Sequence, residues 1–186
     1  MLQPGGRIGE GERRPVRVAV LTVSDTRSAA TDTSGDLLVA MIERDGHRLA
    51  DRMLVRDEVT AIRAAVQGWS DGGGVDVVVS TGGTGLSGRD RTPEAVEPLF
   101  DKRIEGFAAI FHLVSYQSVG LSTLASRATA GVVGTTYVFC LPGSNGAVRD
   151  GWDKVIGPQL DSRHLPCNLV DMMPRLDEHR QELANA

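Results

Sequence analysis

Cysteine is nearly missing: Cys140 and Cys167 are the only two in 186 residues, and neither has a CxxC neighbour or metal-ligand spacing. That excludes a disulfide framework and a zinc site and fits a reducing compartment. The chain also shows no apolar stretch near the ~20 residues of a bilayer-spanning helix. Met1–Pro15, rich in Gly, Arg and Glu, has no apolar signal core. The expectation is a cytoplasmic protein without membrane contact. Nor does one sign of charge dominate. The net charge is −4 with acids and bases interspersed, which argues against steering of nucleic acid or a membrane surface. Local backbone geometry would therefore have to hold any anionic ligand. No internal repeat or low-complexity linker marks a domain boundary.

What is present suits one domain, since 41% of the residues are hydrophobic, enough for a sizeable core. Val16–Ser24 (VRVAVLTVS) is β-branched and almost continuously apolar, the pattern of a strand buried on both faces of a parallel sheet. Leu37, Leu38, Met41 and Ile42 follow at helical spacing, with Thr33 or Ser34 as N-cap and Gly46 as terminator. His47–Val55 reads as a second strand, Thr60–Trp69 as a second helix, and Val75–Ser80 (VDVVVS) as another buried strand after the Gly72–Gly74 turn. Phe107, Ile110, Phe111 and Val114 form one helical face, Thr135–Leu141 a late strand, and Val148–Ile156 a last helix with a kink or break at Pro158. The alternation predicts an α/β fold, a mostly parallel, doubly wound, Rossmann-like sheet with helices on both faces. The polar ends lack periodicity. The expected organisation is a flexible tail over 1–14, one domain over 15–176 and a flexible tail over 177–186.

In such a sheet, ligands bind outside the carboxyl ends of the strands. Thr81, Gly82, Gly83, Thr84 and Gly85 follow the VDVVVS strand directly, where small residues let backbone N–H groups approach an anion and threonine hydroxyls add donors. Residues 83–88 also satisfy GxGxxG, but Thr92-Pro93-Glu94 delays the helix start with its threonine cap, so NAD(P) binding is a weaker alternative. Asp90, between this cradle and that helix, would repel phosphates unless a divalent cation bridges them; the plain alternative is a capping aspartate. Pro142, Gly143 and Ser144, followed by Asn145 and Gly146, form either a second anion nest opening a helix or a hairpin turn. The helical spacing after them favours the nest. Ser24 and Asp25 open a further strand-end loop, and Asp57 lies just after the second strand. Arg127 is read as a phosphate ligand or, more commonly, a structural ion pair. His47, His112, His164 and His179 share no spacing and read as surface or core residues.

TVSDTR at 22–27, DTSG at 32–35, VSTGGTG at 79–85, RDRTPEA at 89–95 and LPGSNGA at 141–147 together resemble the MoaB/MogA family of molybdenum cofactor biosynthesis. The likeness covers about residues 16–170. The stretch GFAAIFHLVSYQSVGLSTLASRATAG resembles the MoaB branch in particular. The resemblance implies a molybdopterin-binding fold, a trimer or hexamer, and transfer of AMP from Mg–ATP to the pterin's terminal phosphate. By motif position it implies Asp57 and Asp90 as catalytic and Mg²⁺-binding residues. It implies the GGTG and PGS loops, with Ser24 and Asp25, as the substrate pocket. A non-catalytic molybdopterin carrier or scaffold is the alternative. A looser likeness to G domains of eukaryotic scaffolds implies other cofactor-synthesis proteins as partners.

Overall fold

The computed structural model describes residues 6–178. In chain order its elements are β1 (Arg7–Ile8), β2 (Arg17–Val23), α1 (Thr33–Arg44), β3 (Arg48–Val55), α2 (Val59–Asp71), β4 (Val77–Thr81), α3 (Thr92–Val96), β5 (Lys102–Arg103), α4 (Glu105–Val119), β6 (Thr129–Val133), β7 (Thr136–Leu141), α5 (Asn145–Gly151), α6 (Gly157–Leu160), β8 (His164–Leu165) and α7 (Leu169–Met172). The six-stranded sheet has the order β3-β2-β4-β7-β6-β5. Its first four strands are parallel to one another, and β6 pairs antiparallel with both β7 and β5.

Strand periodicity explains the layers. Successive side chains point to opposite faces. Val18, Val20, Val77, Val79 and Phe139 therefore face α1, α4 and α5 through Leu38, Ile42, Phe107, Phe111 and Val148. Ala19, Leu21, Val78, Val138 and Cys140 face α2 and α3 through Ile62, Val66, Trp69, Ala95 and Val96. Both faces are covered, which is why these strands read as unbroken apolar runs. Strand β6 was not anticipated; it is five residues of TAGVV that turn back into β7 through Gly134, whose φ is +61°.

Local chemistry moves several boundaries. Helix α1 is capped by Asp32, which accepts from the Gly35 N–H, and not by Thr33 or Ser34. Arg91 occupies the cap position of α3, and the Thr92 hydroxyl instead donates to the Gly82 carbonyl at 2.9 Å. The chain does not break at Pro158. A π-helical stretch over Trp152–Ile156 joins α5 to α6, with the Gly157 N–H bonded to Trp152 O. The wider turn accommodates a residue that has no N–H and whose ring crowds the preceding turn.

Part of the predicted N-terminal tail is attached to the domain. β1 pairs antiparallel with β8, Gly9 N–H donates to Arg163 O at 2.7 Å, and Arg13 pairs with buried Asp161 at 2.7 Å. Polar contacts hold this segment, so apolar periodicity gave no sign of it. The remainder of both predicted tails, residues 1–5 and 179–186 and with them His179, lies outside the described residues.

The absence of a long apolar run also needs correction. Glu105–Ala125 spans 21 residues and contains an 18-residue window of mean hydropathy 1.2, long and apolar enough by composition to cross a membrane. The α-helix, however, stops at Val119 because Gly120 takes φ +60°. Its 15 residues extend about 22 Å, short of a hydrocarbon core of about 30 Å. Phe107, Phe111 and Ser115 are buried against the domain. The face predicted from Phe107, Ile110, Phe111 and Val114 is thus divided. The exposed apolar surface consists of Ile110, Leu113, Tyr116, Val119, Leu121 and Leu124, the last two above 70% accessible.

Candidate functional site

The loops after β2, β3, β4 and β7 converge at the carboxyl edge of the parallel strands. Gly82 N–H donates to Leu141 O at 3.0 Å and the Thr81 hydroxyl to Pro142 O at 3.1 Å, which joins the GGTG and PGS loops. Gly82 has φ +102°, and a Cβ there would stand 2.1 Å from Val23 O. Only glycine permits this contact with the end of β2. A Cβ at Gly143 would lie 3.2 Å from Gly82 Cα, so the two glycine loops touch. Gly143 itself is not among the positive-φ glycines. The turn leads into α5 with Ser144 as its cap, accepting from Ala147 N–H at 3.1 Å, so the helix-opening alternative holds over the hairpin.

Asp57 and Asp90 flank the GGTG loop. A Cβ on Gly83 would meet Asp57 Oδ2 at 2.7 Å, and one on Gly85 would meet Asp90 Oδ2 at the same 2.7 Å. Asp57 is buried and accepts from the Arg91 N–H at 2.8 Å through Oδ1. Its carboxyl is pushed above the usual range, first by burial and then by the charges of Asp90 and Asp25, against the Arg91 hydrogen bond. Half-buried Asp90 accepts from Ser87 N–H at 2.9 Å. Asp25 is more open and is held below the usual range chiefly by Arg89, whose Nε and Nη2 both donate to Oδ2, at 2.9 and 2.7 Å. Asp25 also accepts from Asp57 N–H at 3.3 Å, bringing the β2 and β3 loops together.

Some of the expected donors are already engaged. The Thr81 hydroxyl ties two loops and Thr84 is buried, its carbonyl accepting from Arg127 N–H at 2.8 Å; neither presents the open hydroxyl that the sequence suggested. Ser24 Oγ accepts from the N–H groups of Thr26 and Arg27, closing its own turn. Arg127 takes the structural role. It donates to Gly85 O at 2.9 Å and Asp90 O at 3.0 Å and pairs with Glu94, fixing the loop that carries Asp90. A depression of about 220 Å³ beside it is lined by Ser87, Gly88, Asp90, Arg91, Glu94 and Arg127. Helix α3 begins at Thr92, beyond the glycines, so the GxGxxG string does not open a helix as a dinucleotide fingerprint does. Of the histidines, His47 is buried and His112 bonds Thr123.

The sequence reading missed a second layer. Asp32 is 1% exposed and accepts from Thr22 Oγ1 at 2.7 Å, Arg52 at 2.7 Å and Gly35 N–H at 3.0 Å. Arg27 lies 3.6 Å from Asp32 and donates to Ser34 and to Gly143 O, the latter at 2.8 Å. The DTSG string signals the helix cap and the need for Gly35, where a Cβ would stand 2.1 Å from Asp32 Oδ2. Nothing local signals that Arg27 reaches a residue 116 positions away.

A divalent cation fits this donor set in one way. Among the described residues no group of three or more His, Cys, Asp or Glu side chains is arranged to hold a metal ion. Two carboxylates beside a glycine nest instead suit Mg²⁺ that also takes phosphate oxygens from a ligand.

Residues 19–162 match the family model described as "Probable molybdopterin binding domain". Molybdenum cofactor biosynthesis protein B of Escherichia coli strain K12 is 47% identical over 154 residues, covering 83% of this chain and 91% of that protein. A crystal structure of molybdenum cofactor biosynthesis protein B superposes with a TM-score of 0.81 at 38% identity, over 90% of this chain and 99% of the other. A structure of MogA matches with a TM-score of 0.69 at 32% identity, over 77% of this chain and 97% of the other.

Proposed function

This chain belongs to the MoaB/MogA family of molybdenum cofactor biosynthesis proteins, and from that premise we propose that it binds molybdopterin in the cytoplasm and adenylylates it with Mg–ATP. The observation that carries the reading is the placement of Asp57 and Asp90 on either side of the GGTG loop, where phosphates would meet both backbone donors and carboxylates. In the reaction, an oxygen of the pterin's terminal phosphate attacks the α-phosphorus of ATP. A phosphoanhydride bond forms, the α–β bond breaks and pyrophosphate leaves. Asp90 and Asp57 would hold Mg²⁺, which would supply charge neutralisation for the reacting phosphates. The chain's own part is positioning. The GGTG and PGS loops orient the reactants through backbone N–H groups, and Arg127 keeps the Asp90 loop in place.

We also propose a trimer built on the exposed apolar face of α4 and residues 120–125, which is larger than scattered surface residues would make it. The decisive assay incubates the protein with molybdopterin, ATP and Mg²⁺ and looks for adenylylated pterin and pyrophosphate. Their formation, abolished by chelation, is the expected result. Pterin binding without turnover would instead make the protein a carrier or scaffold for other cofactor-synthesis proteins.

A further inference from the structure

The PGS loop is supported from two sides. On the β4 side Thr81 and Gly82 bond Pro142 O and Leu141 O. On the other side the only contact made by a side chain from the β2–α1 loop to its backbone, among the described hydrogen bonds, is Arg27 Nη2 to Gly143 O at 2.8 Å. Arg27 is itself fixed. Its other terminal nitrogen reaches Ser34 and lies 3.6 Å from Asp32, a carboxylate that Thr22, Arg52 and the Gly35 N–H hold in turn. The guanidinium is planar and forked, so one arm can stay on the start of α1 while the other holds a carbonyl; an ammonium would have to reach both from a single nitrogen.

We infer that Arg27 is a positioning residue for the PGS loop: by holding the Gly143 carbonyl from the β2–α1 side, it sets the plane of the Gly143–Ser144 peptide and so presents the Ser144 N–H to the anionic ligand. The step from carbonyl to N–H follows from peptide planarity, because the two groups lie on opposite edges of one rigid unit. Arg27 does not touch the reacting atoms in this arrangement. It acts through the loop, and Asp32 acts through Arg27. The ligand part of the inference rests on the molybdopterin reading above; the effect on the loop does not.

The test uses full-length Arg27→Ala and Arg27→Lys. In the ligand-free protein, the backbone amide signals of Ser144 and Asn145 are expected to shift, and their hydrogen exchange to accelerate, in both variants. Molybdopterin affinity should fall by roughly ten- to a hundredfold in Arg27→Ala, the size expected when the Ser144 N–H loses its hydrogen bond to a charged ligand. Millimolar methylguanidinium should restore much of it, which a merely structural defect would not allow. Should Arg27→Ala not fold, Arg27→Lys keeps a cation beside Asp32 and carries the same measurements. Unmoved amides, or unchanged affinity in a folded variant of a binding-competent parent, would overturn the inference. If the parent protein fails to bind molybdopterin while the amides still shift, the molybdopterin reading falls and the positioning of the loop by Arg27 stands.

Discussion

Gly83 faces Asp57 so closely that a single added methyl group would stand 2.7 Å from the carboxylate Oδ2 and 2.3 Å from Thr92 Oγ1. The backbone there also takes φ +64°, a conformation that costs an L-residue about 1–2 kcal/mol. Gly83→Ala should therefore lower the melting temperature by roughly 5 °C and push Asp57 out of place. Scanning calorimetry checks the first effect. The adenylylation assay checks the second, where turnover is expected to drop further than the lost stability explains.

Asp57 couples function to a stability cost. Its folded pKa lies above the ordinary 3.8, first because of burial, so the unfolded chain gives up the proton more readily. This carboxyl leaves stability unaffected below pH 3.8 and lowers it as pH rises from there through the folded value. Asp57→Asn, which can still accept from Arg91 N–H, should melt above the parent at neutral pH, and the gain should vanish on acidification. Adenylylation should fall by roughly a hundredfold, as when a positioned electrostatic group is removed. A variant no more stable than the parent at pH 7 would remove the burial argument.

Strands such as VDVVVS were readable because both faces of the sheet are covered, leaving an apolar run with no polar interruption. The glycine loops were readable because their positions need the absence of a side chain, as at Gly82 against Val23 O. β6 and the attached β1 segment escaped because they are short and held by pairing or ion pairs, which leave no periodic signature. Arg27 and Asp32 escaped for a different reason. Their importance comes from a contact between the first and last site loops, and such a contact exists only once the sheet order is known.

His47 should make stability depend on pH. Its Nδ1 accepts from Val16 N–H at 3.3 Å, and its buried Nε2 has no partner among the described residues. Burial first, then the charge of Arg13, depress its pKa below 6.5, with Asp45 and Asp161 opposing. The unfolded chain therefore takes up the proton first. The stabilisation is complete above pH 6.5 and is lost as pH falls from there through the folded value. His47→Asn, which keeps an acceptor near the Nδ1 position, should flatten denaturant midpoints measured across this window. An equally steep pH dependence in the variant would assign it to other groups.

Leu121 and Leu124 stand 71% and 72% exposed beside Ile110, Leu113 and Tyr116. If this face closes a trimer, carboxylates placed in it would be desolvated without partners. Leu121→Asp combined with Leu124→Asp should yield a folded monomer at micromolar concentration by sedimentation, against a trimer for the parent. A parent that sediments only as monomer would contradict the proposed assembly.

Gly143 offers the sharpest test of the PGS loop. The residue does not need positive φ. What it needs is room, because its Cβ position lies 3.2 Å from Gly82 Cα and 3.7 Å from Gly82 N. Both neighbours are backbone atoms, so they cannot rotate away as a side chain could. Valine would add two further methyl groups to this contact and force the PGS and GGTG loops apart. The Arg27 bond to Gly143 O would be strained by the same displacement. The sheet below is anchored by β4–β7 pairing from Val77–Tyr137 to Thr81–Leu141, so the fold should survive. Gly143→Val is therefore expected to weaken molybdopterin binding by about ten- to a hundredfold, equivalent to roughly 1–3 kcal/mol. Titration calorimetry gives the affinity and thermal melting controls for folding. If a well-folded Gly143→Val protein binds the pterin as tightly as the parent, the contact between the two glycine loops is not part of the binding surface, and the pocket must lie wholly on the Asp57 and Asp90 side.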